Sequence, residues 1–234
     1  MNIIITGASR GLGYETALQL ACGTGHHVLA IARNKDHLET LCTTCREKDP
    51  AARITALPLD LLHITGKPGE AVQKIKQVFT QVDVLIHNAG SMLNRPFEET
   101  GYEESLELFQ TNFFVPALLT KALLPLMKNA HVLSIGSMGG FQGSVKFPGL
   151  SYYSASKGAL AVWTECMAEE YKNRGLRFNM LALGAVQTEM LQEAFPGYQA
   201  PLSAGEMASF VAGFALNGHR FFNGKILPVS VTTP

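Results

Sequence analysis

The 234-residue chain has no excess of charge of either sign: Lys+Arg and Asp+Glu are both 19, for a formal net charge of +0. A nucleic-acid or anionic-membrane partner would call for a basic surplus, so neither is expected. Charges of any kind are few, 16% against 47% hydrophobic residues, which excludes a self-repelling disordered chain and suits a packed enzyme. No uncharged apolar run approaches the roughly 18 residues needed to span a bilayer. Met1-Asn-Ile-Ile-Ile-Thr6 carries neither the basic flank nor the cleavage site of a secretory signal. Cysteine is scarce: Cys22, Cys42, Cys45 and Cys166. Cys42-Thr-Thr-Cys45 has redox or metal spacing, but no second pair completes a zinc site, so reduced cysteines and no metal are expected. Repeats, low-complexity runs and linkers are also missing. These absences leave one cytoplasmic domain over residues 1–234, long enough for a single large core.

What is present is alternation. Apolar runs at Asn2–Thr6, His27–Ala32, Ile54–Leu59, Val82–His87, His131–Ile135, Arg177–Ala182 and Lys225–Val229 read as strands. Most are continuous rather than alternating, as expected when both sheet faces are covered. Helical patterns lie near Gly13–Ala21, Lys35–Glu47, Glu70–Phe79, Glu103–Met127, Ser154–Arg174 and Ser203–Leu216. The βαβα order implies an α/β fold with a doubly wound parallel sheet of about seven strands. Pro116 interrupts the longest helix candidate and is expected to kink it.

Tyr153-Ser-Ala-Ser-Lys157 puts a phenol and an ammonium on one helix face. A lysine beside a tyrosine favours the tyrosinate, lowers its pKa and readies it for proton exchange with a carbonyl or alcohol. Thr6-Gly-Ala-Ser-Arg-Gly-Leu-Gly13 follows the first strand and opens the first helix. Gly7, Gly11 and Gly13 there allow a tight turn and close approach to a pyrophosphate. The second strand ends Ala30-Ile-Ala-Arg33, without the acid that would grip a ribose 2′-OH. Arg33, and Arg10 in the glycine loop, are either solvated surface cations or ligands for a 2′-phosphate; together they favour NADP(H), with NAD(H) still usable. Asp60 ends the third strand and can bind adenine or cap the following turn. Asn88-Ala89-Gly90 ends the fourth, where small residues allow close cofactor approach. Asn112, mid-helix before Pro116, either bonds the carbonyl that the proline frees or serves catalysis. Ser137, in a glycine-rich turn after the fifth strand, lies on the ligand-binding edge. Gly136-Ser-Met-Gly139 is one residue short of a hydrolase elbow.

In combination these residues resemble the short-chain dehydrogenase/reductase family over nearly the whole chain, carbonyl-reductase-like in kind. The resemblance implies a single Rossmann-type domain and a catalytic tetrad of Asn112, Ser137, Tyr153 and Lys157. Tyr153 would exchange the proton, Lys157 would lower its pKa and bind the nicotinamide ribose, Ser137 would hold the substrate oxygen, and Asn112 would support a water relay. It implies cofactor contacts at Gly7, Ser9, Arg10, Gly11, Leu12, Gly13, Arg33, Asp60, Leu61, Asn88, Ala89 and Gly90, at Tyr153 and Lys157, and at Gly184, Val186 and Thr188. A homodimer or homotetramer is implied too.

Four departures stand out. His87 replaces the first asparagine of Asn-Asn-Ala-Gly, and Leu183 replaces the proline before Gly184. Ser137 and Tyr153 are farther apart than usual, with Lys146-Phe-Pro-Gly149 between them. Val229-Ser-Val-Thr-Thr-Pro234 replaces the family's C-terminal motif. The expected activity is an NADP(H)-dependent interconversion of a small carbonyl and an alcohol; the alternative is a catalytically silent NADP(H)-binding sensor or scaffold. Residues 188–202 form a short substrate-covering segment, and Leu191, Phe195, Tyr198, Phe147, Leu150 and Tyr152 supply an apolar wall.

Overall fold

A computed structural model of the chain describes residues 1–66 and 68–231. The strands are β1 (Asn2–Thr6), β2 (His27–Ala32), β3 (Arg53–Pro58), β4 (Val82–His87), β5 (Met127–Ser137), β6 (Arg177–Leu183), β7 (Val186–Gln187), β8 (Leu202–Ser203) and β9 (Lys225–Val229). The helices are α1 (Gly11–Ala21), α2 (Lys35–Lys48), α3 (Pro68–Lys76), α4 (Tyr102–Phe109), α5 (Val115–Leu123), α6 (Ser151–Glu170), α7 (Glu189–Ala194) and α8 (Ala204–Asn217). Seven strands form one sheet in the order β3-β2-β1-β4-β5-β6-β9, every pair parallel. The chain reverses its winding direction between β1 and β4, so the crevice at their carboxyl ends is the ligand position of a doubly wound sheet.

Alternation along each strand decides which layer a side chain joins. Ile3 and Ile5 face a core with Leu18 and Leu20 of α1, Leu38 and Leu41 of α2, and Val211 of α8. Ile4, Leu29 and Leu85 face the other core, with Ile75 of α3, Leu119 of α5 and Ala168 of α6. Both faces are therefore covered, which explains why the strands read as continuous apolar runs.

The helix expected over Glu103–Met127 is broken into several pieces. α4 ends at Phe109, a π turn spans Gln110–Phe114, α5 follows, and a 3₁₀ turn at Leu124–Leu126 leads into β5 at Met127. Pro116 has no N–H to give to the carbonyl four residues back, so the ladder changes register before it. The Val115 N–H instead reaches Gln110 O across the wide turn. Pro116 itself sits in the first turn of α5, where the missing donor costs nothing.

A second, two-stranded pairing was not expected. β7 and β8 pair through Val186↔Leu202 and Gln187↔Ser203, stapling together the two ends of the covering segment. The Ala200 N–H donates to Gln187 Oε1 at 2.7 Å inside it. The segment is thus a closed loop carrying α7, not a loose strap.

Candidate active site

The glycine loop is shaped by contacts no larger residue allows. Gly7 has φ +70 and Gly11 φ +55, the left-handed region that favours glycine. A Cβ on Gly13 would lie 2.2 Å from Gly7 O and 2.3 Å from Asn88 Nδ2. The N–H groups of Gly7 and Ala8 are used by Ile31 O at 2.8 and 3.3 Å. Those opening α1 are left without intrahelical partners, and no side chain caps them. An uncapped helix start behind a glycine turn fits a pyrophosphate. Ser9 is half-buried in this loop, and Leu12 packs into the core behind it.

Thr6 and Asn88 lace β1 to β4 beneath the loop. Thr6 Oγ1 accepts from the N–H groups of Asn88 at 3.1 Å and Ala89 at 3.0 Å. Asn88 Nδ2 donates to Thr6 O and Gly7 O at 3.0 and 3.1 Å. Asn88 therefore fixes the loop from β4. A Cβ on Gly90 would lie 3.1 Å from Asn112 Oδ1 and 3.3 Å from Lys157 Nζ, so Gly90 is the neighbour that two tetrad members share.

Asn112 is completely buried in the π turn. Its Oδ1 accepts from the Ser91 N–H at 3.0 Å, and its Nδ2 donates to Ser91 O at 2.9 Å and Ser156 Oγ at 3.0 Å. Of the two roles open from the sequence, the bond to a proline-freed carbonyl is not made. Ser156 in turn donates to Tyr153 O at 2.7 Å, which links Asn112 to the backbone of the tyrosine. Neither Ser91 nor Ser156 was singled out by sequence. For Ser156 the only available signal was its place one turn after Tyr153.

Ser137 ends β5, its Oγ accepting from the Gly139 N–H at 3.1 Å, and Tyr153 stands near it in the first turn of α6. Burial pushes the Tyr153 phenol up from its ordinary value of 10.0, and the neighbouring Ser137 opposes this. Burial pushes Lys157 down to about 8, and its Nζ donates to Ile135 O at 3.0 Å. Both groups are buried, and the ammonium's bond goes to a carbonyl. The long loop between Ser137 and Tyr153 closes on itself, with Lys146 Nζ donating to Phe141 O at 2.7 Å and Ser144 O at 3.1 Å.

The remaining candidates lie along the same sheet edge. Arg33 follows β2, exposed and without an ion pair among the described residues. Arg10 is paired: its Nη1 lies 2.7 Å from Glu193 Oε1. Asp60 caps the turn after β3, Oδ1 accepting from the Leu62 N–H at 3.0 Å, so its capping role is realised; Leu61 is buried. The Gly184 N–H donates to Val229 O at 2.9 Å, and a Cβ on Gly184 would lie 2.3 Å from Ser230 Oγ. The divergent C-terminal stretch thus backs the loop after β6, where Leu183 stands in the ladder beside Ser137 and Val229. Val186 is buried in β7. Thr188 caps α7, accepting from the Leu191 N–H at 3.3 Å, and its Cγ2 would lie 3.3 Å from a Cβ on Gly11. Among the described residues no cluster of His, Cys, Asp and Glu could hold a metal ion.

A family model described as short chain dehydrogenase matches residues 1–199. A dehydrogenase/reductase SDR family protein 7-like of Drosophila melanogaster is 32% identical over 200 residues, covering 83% of this chain and 60% of its own length. A ketoacyl reductase, HetN, of a Nostoc strain is 33% identical over 193 residues, covering 81% of this chain and 65% of its own. The chain spans about three fifths of the length of the first curated relatives it matches. A dehydrogenase/reductase of Sinorhizobium meliloti superposes with a TM-score of 0.85 at 25% identity, over 97% of this chain and 92% of that one. A protein of Beutenbergia cavernae, solved with NADP at low occupancy, superposes with a TM-score of 0.85 at 25% identity, over 98% and 94%. With the family model matching most of its length and the parallel sheet, glycine loop and Tyr153–Lys157 turn in place, the chain belongs to the short-chain dehydrogenase family.

Proposed function

We propose that the chain is an NADP(H)-dependent oxidoreductase interconverting a small carbonyl compound and its alcohol, with Tyr153 as the acid/base. What supports this reading most is that Ser137, at the end of β5, and Tyr153, in the first turn of α6, are neighbours at the carboxyl edge of the sheet that also carries the glycine loop, with Ser137 opposing the effect of burial on the phenol. Ser137 would hold the substrate oxygen beside the phenol. Tyr153 would give it a proton in reduction and take one in oxidation. Lys157, between Ile135 O and Gly90, would bind the cofactor ribose and supply positive charge. Asn112 holds Ser91 and Ser156 and supports the backbone under Tyr153. The dinucleotide, when bound, supplies or takes the hydride. The glycine loop, Ser9, Leu12, Ala89, Asp60, Leu61, Gly184, Val186 and Thr188 would line its path.

The missing acid after β2 and the exposed Arg33 support a phosphorylated cofactor, with NAD(H) as a weaker alternative. We expect NADPH to be preferred to NADH by at least about tenfold in kcat/KM, roughly 1.4 kcal/mol, and Arg33→Asp to erode or reverse that preference. Residues 1–234 would act as one domain. Among the described residues no helix is long and apolar enough to cross a membrane. A cytoplasmic homodimer is the assembly we favour over a tetramer, because Tyr102, Phe114 and Val162 leave apolar surface exposed on α4, the π turn and α6. NADPH oxidation followed against a panel of aldehydes, ketones and diketones tests the reading. Turnover of uncharged carbonyls supports it, whereas tight NADPH binding with no turnover would replace it by a cofactor-binding scaffold.

A further inference from the structure

Arg10 is the cation of the glycine loop, and it is already engaged. Its Nη1 lies 2.7 Å from Glu193 Oε1 and its Nη2 3.5 Å from Glu193 Oε2, a fork closed on a carboxylate. Glu193 sits on α7, inside the loop whose base β7 and β8 hold together. The next residue is tied as well: Asn94 Nδ2 donates to Ala194 O at 2.9 Å. At the other end of α7, Glu189 Oε2 would lie 3.1 Å from a Cβ on Gly11. The helix thus lays two carboxylates against the loop that the proposed function assigns to an anionic cofactor.

A guanidinium whose two terminal nitrogens face one carboxylate cannot present the same fork to a phosphate. We infer that Glu193 is a specificity-determining residue. It competes with the 2′-phosphate of the dinucleotide for Arg10, so that engaging the phosphate unclasps α7 from the glycine loop. The inference rests on the NADP(H) reading above. The strength of the pair suits a displaceable clasp: the side chains are 49% and 62% exposed, and pairs so exposed are weak. A phosphate carries more charge than a carboxylate and wins such an exchange. Arg33, exposed and with no ion pair among the described residues, would take the same phosphate without a displacement step.

Calorimetric titration of the purified chain with NADP⁺ and with NAD⁺ tests this in four forms: wild type, Glu193→Gln, Arg10→Ala and the double variant. Glu193→Gln should lower the Kd for NADP⁺ about two- to fivefold, the range an exposed ion pair is worth, and leave NAD⁺ unchanged. The gain should shrink in high salt. It should also vanish in the Arg10→Ala background. Hydrogen exchange gives a readout independent of affinity: amides of residues 190–195 should exchange faster in the wild-type NADP⁺ complex than in the NAD⁺ complex, and the difference should disappear in Glu193→Gln. An unchanged Kd in a chain that still prefers NADP⁺ overturns the inference and leaves the cofactor reading intact. An equal gain without Arg10, or an equal gain for NAD⁺, also overturns it, since Glu193 would then act by bulk repulsion. If neither wild type nor Glu193→Gln prefers NADP⁺, the cofactor reading fails and takes the inference with it.

Discussion

Asn112→Ala separates what holds the site together from what reacts in it. The side chain is fully buried and makes three hydrogen bonds, to Ser91 N, Ser91 O and Ser156 Oγ, at 3.0, 2.9 and 3.0 Å. Truncation leaves those three partners without Asn112, and each unsatisfied buried group costs about 1–3 kcal/mol. Taking the low end for each, because Ser156 keeps its bond to Tyr153 O and water can enter the space, gives a loss of about 3 kcal/mol. A domain stable by roughly 5–15 kcal/mol survives that loss, so the variant can be assayed folded. Urea unfolding followed by Trp163 fluorescence should show a lower midpoint with an unchanged slope. Kinetics on the folded variant then read the second role. A fall in kcat beyond the unfolded fraction shows that turnover needs Asn112 under Tyr153, while wild-type turnover confines it to holding the fold. A stability loss below about 0.5 kcal/mol would refute the reasoning, because the three bonds would then carry almost nothing.

The other expectations are simpler to read. Tyr153→Phe keeps the ring and removes the proton, so turnover should fall about 10²–10⁴-fold while calorimetry still shows dinucleotide binding; near wild-type turnover would remove Tyr153 from its role. His87 and His131 are buried and held neutral, pushed from 6.5 down to about 3 and about 4 by burial. The unfolded chain therefore binds more protons below pH 6.5, so their contribution is intact above that pH. It is lost on acidification at about 1.4 kcal/mol per pH unit for each histidine until the folded-state value is reached. His87→Asn should flatten the stability profile between pH 6 and 4, and a profile as steep as the wild type's would exclude the effect. Light scattering at micromolar concentration should give at least a homodimer, and Val162→Glu should weaken it; a wild-type monomer would contradict that assembly.

Much of the sheet was legible because it is buried on both faces. β1, β2, β4 and β9 begin and end where their apolar runs do. The error lay in Leu118–Met127, which is apolar almost throughout and so carries no period to separate helix from strand. Helix was carried through Met127, although that residue already pairs with Val82. The π turn was invisible for a related reason. Pro116 announces that a ladder bond is missing but not where the chain makes up the register. The β7–β8 staple is two residues long on each side, too short for any pattern to report.

The site divides along the same line. The residues proposed to meet a ligand come as motifs, because the glycines, Tyr153 and Lys157 keep fixed spacings within one element. Residues that hold the motifs in place come from elsewhere in the chain: Arg10 meets Glu193 across 183 positions, and Asn94 meets Ala194 across 100. Spacing alone does not set the charge balance at Tyr153. Four residues on a helix establish that a phenol and an ammonium are neighbours, but the sign of the shift depends on what surrounds both. Tyr153 and Lys157 are each almost fully buried, and burial favours the neutral form of either group. The lysine spends its hydrogen bond on Ile135 O, and Ser137 is the neighbour that counters burial at the phenol. A phenol held protonated beside the serine that would grip the substrate oxygen is set to give a proton, which is the requirement of carbonyl reduction.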